Sequence, residues 1–135
     1  MKLDGTNYVD LAEKAILTII KQDDENRQRK PRAKSLLVTT SKIRNLLAMT
    51  AELQTEVRNS KEDKLTRDMM ERINYLKIRF VYEAGRDEAV RKLVETARIR
   101  EHLDDVKNSK EQYIIFSMYI EALVAFRKFY GKNDD

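Results

Sequence analysis

Tyr75-Leu76-Lys77-Ile78-Arg79-Phe80-Val81-Tyr82-Glu83-Ala84-Gly85-Arg86 is the stretch that decides the fold. Met69, Ile73, Leu76, Phe80 and Ala84 follow one another at spacings of three or four, which places them on one apolar helical face. Arg72, Arg79 and Arg86 recur every seven residues, as do Tyr75 and Tyr82. Seven residues is nearly two turns, so the arginines form one stripe and the tyrosines a neighbouring one. Gly85 suits the left-handed position that commonly ends a helix, and a second helix is expected to open at once. A helix with a buried face and an arginine–tyrosine surface leaves three uses open for that surface: solvent, protein or nucleic acid.

Composition agrees with helix throughout. The chain has 135 residues with only three glycines and one proline, and 37% are charged. Apolar residues make up 41%, enough for a core. The expectation is an all-α protein, a single compact domain over residues 1–135 with about five helices. With no cysteine, neither a disulfide framework nor a thiolate metal site is available, which is compatible with a reducing cytoplasm. The N-terminus lacks the sections of a signal peptide, and no apolar run approaches the roughly 20 residues of a membrane span. A net charge of +4 permits a polyanionic partner without requiring one, because 23 acidic residues are interspersed with 27 basic ones.

Working outward, Asn7 can cap a first helix to about Gln22, with Val9, Ala12, Ile16 and Ile19 facing inward and Leu11, Ala15 and Ile20 widening that face. Asp23 to Val38 lacks periodicity and contains Pro31, so a loop is expected there. Its residues Arg27, Arg29, Lys30, Arg32 and Lys34 make either a solvated linker or a basic arm. Thr39, Thr40 and Ser41 precede a second helix whose buried stripe is Ile43, Leu46, Leu47, Thr50, Leu53 and Val57. Lys42 and Arg44 fall in its first turn, the wrong end of the helix dipole for cations. With free backbone N–H groups beside them they make a plausible anion site; alternatively they point into water.

Asn59 to Asp63 reads as a turn, and the central helix runs from about Glu62 to Ala84. A fourth helix starts near Arg86 or Asp87 and carries apolar residues at Val90, Leu93, Val94, Ala97, Ile99, Leu103 and Val106. Its outer surface alternates in sign, as solvated faces do. Ser109 with Gln112 makes a capping box for a last helix to about Tyr130. That helix is apolar nearly all round, which marks it as the centre of the bundle or as partly covered by another subunit. Glu121 interrupts it, either on a solvent strip or paired with an arginine. Arg127, Lys128 and Lys132 suit the C-terminal end of the dipole.

The chemistry of catalysis is missing from the pattern. His102, the one histidine, lies among charged residues and is expected at the surface. There is no Ser/His/Asp or Cys/His set, no glycine-rich phosphate loop and no His/Cys metal spacing, so no enzyme, metal or cofactor is expected.

Four segments taken together resemble the small, Csm-type subunit of type III-A CRISPR effector complexes. They are Tyr8-Val-Asp-Leu-Ala-Glu-Lys-Ala-Ile, Thr39-Thr-Ser-Lys-Ile-Arg-Asn-Leu-Leu, the stretch Tyr75 to Arg86, and Tyr119-Ile-Glu-Ala-Leu-Val-Ala-Phe-Arg-Lys-Phe-Tyr-Gly. The likeness runs from about Asn7 to Gly131, in order and with compatible spacings. It implies a non-catalytic helical subunit lined up in several copies along guide RNA and target RNA. The copies face repeated backbone subunits that carry ribonuclease activity. Carried over by motif, the RNA-facing residues are Lys42, Arg44, Lys77, Arg79, Arg86, Arg127 and Lys128. Arg72 lies outside the matched segment and keeps its solvated reading. The competing expectation is a structural adaptor whose arginines pair with other subunits and never touch RNA. A helix-turn-helix DNA binder would want exposed Arg, Asn and Gln opening a recognition helix, and none stands out.

Overall fold

The computed structural model describes residues 1–131; Lys132, named above for its charge, lies outside them. Six helices follow in order: α1 Tyr8–Arg29, α2 Thr40–Asn59, α3 Arg67–Arg86, α4 Glu88–Thr96, α5 Ile99–Asp104 and α6 Lys110–Tyr130. The all-α expectation holds, with one more helix than anticipated.

The additional helix comes from a break inside what reads as a continuous fourth helix. Ala97 ends α4, and Arg98 takes a left-handed conformation at φ 53° before α5 begins. A left-handed non-glycine residue costs roughly 1–2 kcal/mol. Burial of Ala97 and Ile99 on either side offsets it, as does the Tyr119 hydroxyl, which donates to the Ala97 carbonyl at 2.8 Å. The break turns Leu103 and Val106 into the same core that Val90, Leu93 and Val94 enter.

α6 is the centre of the bundle, flanked by α1, α2 and α5. Tyr113, Phe116, Tyr119, Ile120 and Leu123 are buried along it, and Phe116 meets Phe80 of α3 edge-on at 6.3 Å between ring centres. Its two buried tyrosine hydroxyls are satisfied by backbone: that of Tyr119 as above, and that of Tyr113 by donating to the Thr50 carbonyl at 2.8 Å. Ser109 caps α6 through the Gln112 N–H. The reciprocal half of the expected capping box is absent, because the Gln112 amide donates to the Leu3 carbonyl instead and anchors the N-terminal segment. Glu121 is exposed, on the solvent side of the two positions its sequence context allowed.

Several boundaries differ from expectation, each for a physical reason. α1 continues two turns past Gln22 because Asp23 falls on its inner face; it ends at Arg29, since the residue before Pro31 is forced out of helical conformation. The connection therefore covers only residues 30–39, and Arg27 and Arg29 belong to a helix. Asn7 does not cap α1 with its side chain; Asp4 and Asn7 bond one another in the turn before it. Val9 faces outward. α3 starts at Arg67 behind the cap Thr66, because the preceding turn is docked elsewhere. Lys110 donates to the carbonyls of Ser60 and Glu62 at 2.7 and 2.8 Å, and the Leu65 N–H donates to Asn108. Gly85 has no positive φ; α3 runs through it to Arg86 and is stopped by extended Asp87, which caps α4.

Candidate nucleic-acid interface

The arginine stripe of α3 lies along its contact with α2. Arg72 pairs with Glu56 of α2, and that hydrogen bond holds the guanidinium above its ordinary pKa. One and two heptads further on, Arg79 and Arg86 border a cleft of about 450 Å³ between α2, α3 and α4. Lys42, Asn45, Leu46 and Met49 line it from α2, Glu83 from α3, and Asp87 and Val90 from the start of α4. Three of the expected residues, Lys42, Arg79 and Arg86, thus come from two helices and share one hollow.

The cations there are held by carboxylates. Thr39 caps α2 by accepting from the Lys42 N–H, and the Lys42 ammonium reaches across to Asp87. This explains why a cation is tolerated in the first turn of α2: its partner is a carboxylate on another helix. Asp87 also accepts from the Ala89 and Val90 N–H groups at 2.9 and 3.1 Å. Burial alone would raise its pKa, but Lys42 and these N–H donors outweigh it, and the carboxyl sits below its ordinary value. Glu83 accepts from Arg79 at 2.9 Å, and Arg86 approaches its other oxygen at 3.7 Å. Both guanidiniums also lie near the Tyr82 ring, at 5.5 and 5.3 Å from its centre. Past Arg86, a second open hollow of about 600 Å³ continues over Gly85 to Arg91 and Lys92.

The remaining expected residues lie apart from this cleft. Arg44 is exposed, nearly opposite Lys42 around α2, and does not line the hollow. Lys77 pairs with Asp104 at 3.1 Å beside a different, mostly apolar groove formed with Ile78, Val81, Arg100 and Leu103. Lys128 is exposed on the last turn of α6. Arg127 requires correction: it is only 2% exposed, and its Nε donates to the Val38 carbonyl. It packs so closely on Gly131 that a Cβ there would strike its side chain. Its side chain is thus built into the fold rather than exposed as a surface cation.

His102 is the second correction. It is 4% exposed, packed edge-on against Tyr119 with ring centres 5.2 Å apart. Ile99, His102, Leu103 and Val106 repeat at helical spacing, a signal that overrides the charged neighbours. Burial pushes its pKa below the usual value; Asp105 and Glu101 oppose this, while Arg98 and the N-terminal ammonium reinforce it.

The outer side of α3 is unusually apolar for a surface. Tyr75 and Ile78 are 60% and 63% exposed, and Val81 and Tyr82 are also exposed. Among the described residues, no helix is long and apolar enough to cross a membrane, and no group of three acidic or histidine residues could hold a metal.

A fold of six helices around a central apolar one, with a basic cleft at one corner, coincides with a sequence match to a known family. The family model Csm2 Type III-A matches residues 18–133. A protein of Streptococcus thermophilus described as CRISPR system Cms protein Csm2 is 41% identical over 132 residues, covering 98% of both chains. Proteins of the same description from Enterococcus italicus and Mycobacterium tuberculosis are 41% and 37% identical. They match 72% of this chain each, and 71% and 78% of their own lengths. The chain belongs to the Csm2 type III-A family.

Proposed function

We propose that this chain is a non-catalytic small subunit of a cytoplasmic type III-A CRISPR effector complex that holds the guide–target RNA backbone. The observation that carries the reading is the convergence of Lys42, Arg79 and Arg86 on one cleft. Guanidinium and ammonium groups at such a hollow suit phosphate, which positions a nucleic acid without reading its sequence. Sequence independence is what a guided complex needs, since base pairing supplies specificity. Arg44, Lys77 and Lys128 are exposed enough to contribute outside the cleft. The apolar strip Tyr75–Ile78–Val81–Tyr82 suits contact with other protein subunits, including further copies of this chain and the repeated ribonuclease subunits.

The test is alanine at Lys42, Arg44, Arg79 and Arg86 together, with binding to a short labelled RNA duplex measured across salt concentrations. Binding should weaken, and the log–log salt slope should fall by about 0.7–0.9 for each phosphate no longer neutralised, with far-UV circular dichroism unchanged. Undiminished binding at physiological salt would sink the proposed surface.

One observation favours a structural role without RNA contact: Lys42, Lys77, Arg79 and Arg86 all have carboxylate partners within the chain, so none needs an external anion. Crosslinking RNA in the assembled complex separates the two. Adducts on Lys42 or Arg79 support RNA contact, and their absence supports the structural role.

A further inference from the structure

The carboxylates of the basic cleft are of two kinds. Asp87 is committed to the fold: one oxygen caps α4 through two N–H groups and the other takes Lys42. Glu83 has no such duty. Its carboxylate faces the cleft with one oxygen toward Arg79 and the other toward Arg86, and its side chain is partly exposed. Two guanidiniums aimed at the two oxygens of one anion is also how arginines take a phosphate.

We infer that Glu83 is an internal stand-in for an RNA phosphate, occupying the Arg79–Arg86 fork in the free protein and giving way when the backbone enters. This rests on the RNA reading above. Tyr82 supplies what the exchange requires. Its ring lies near both guanidiniums, so the two arginines keep a shared support when the carboxylate swings away. Glu83 therefore lowers affinity rather than raising it: part of each binding event is spent displacing it, and it repels an arriving phosphate.

The sign of one measurement decides the matter. Full-length Glu83→Gln keeps the side-chain size and removes the charge. It should bind a short fluorescein-labelled RNA duplex of mixed sequence about three- to tenfold more tightly at low salt. Its salt slope should also be steeper than that of the unmodified protein. Tyr82→Ala in the same background should remove that gain. Equal or weaker binding by Glu83→Gln overturns the inference, because a carboxylate that merely orients the arginines would lower affinity when removed. The double variant Arg79→Ala with Arg86→Ala tests the underlying reading separately. If it loses binding while Glu83→Gln gains none, the cleft binds RNA without the stand-in. If it binds as the unmodified protein does, the RNA site is elsewhere and the inference falls with it. Thermal unfolding of each variant shows whether the fold is intact.

Discussion

The carboxylate of Asp23 on α1 accepts the backbone N–H of Leu36 at 2.7 Å, binding the end of the first helix to the segment that precedes the second. Ser35 donates to its other oxygen at 3.1 Å. Asp23 is 7% exposed, and Arg27 one turn later lies 3.8 Å away. Asp23→Ala removes the acceptor of a half-buried N–H, a change worth about 1–3 kcal/mol. Hydrogen exchange at Leu36 should accelerate while amides in α6 stay protected. Unchanged exchange at Leu36 would show that the carboxylate does not hold the segment.

Arg127 grips the same segment a little further on, through the Val38 carbonyl. Arg127→Met keeps the length of the side chain and leaves that carbonyl without its donor. Stability should fall by about 1–3 kcal/mol in urea unfolding, well beyond the usual range for a surface charge. Lys128→Met, one residue on and exposed, should change it by no more than about 0.5 kcal/mol. Similar losses in the two variants would contradict the buried role of Arg127.

His102 makes stability depend on acidity in a direction set by its burial. Its pKa is lowered in the folded protein, so the unfolded chain takes up a proton first as pH falls. The stabilising contribution is complete above the unfolded value of 6.5 and is lost as pH falls through the folded value. His102→Leu removes the titrating group and its unpartnered Nδ1. The fall in Tm between about pH 7.5 and about pH 5.5 should be smaller in this variant than in the unmodified protein. The other groups near the ring, Asp105, Glu101, Arg98 and the N-terminus, are common to both proteins and cancel in the comparison. An equal fall would assign the acid sensitivity to other groups.

What a sequence discloses of this fold follows from the range of the signal. Core faces are legible because periodicity is local: Ile73, Leu76 and Phe80, or Ile43, Leu46 and Leu53, are fixed by spacing alone. The central place of α6 follows from its apolar circumference. Contacts between distant residues leave no such trace. Nothing near Arg127 announces that it meets Val38, and nothing near Lys42 announces Asp87. Arg127 reads as a surface residue because a cation near a helix C-terminus usually is one. The pairing of Glu83 with Arg79 and Arg86 is within reach of a sequence reading, since spacings of four and three are the ordinary geometry of helical ion pairs. Asp23 is obscured by its neighbours: a run of three acidic residues hides that only the first lies on the inner face of α1.

Between its two clasps, at Asp23 and at Arg127, the link from α1 to α2 is fastened near Ser35 to Val38, while Lys30, Pro31 and Arg32 remain exposed at its crest. A crest secured in this way can change length without moving either helix. It is therefore a place to graft an affinity tag, a fluorophore or a protease site, giving a handle on one subunit that leaves the α2–α3–α4 corner untouched.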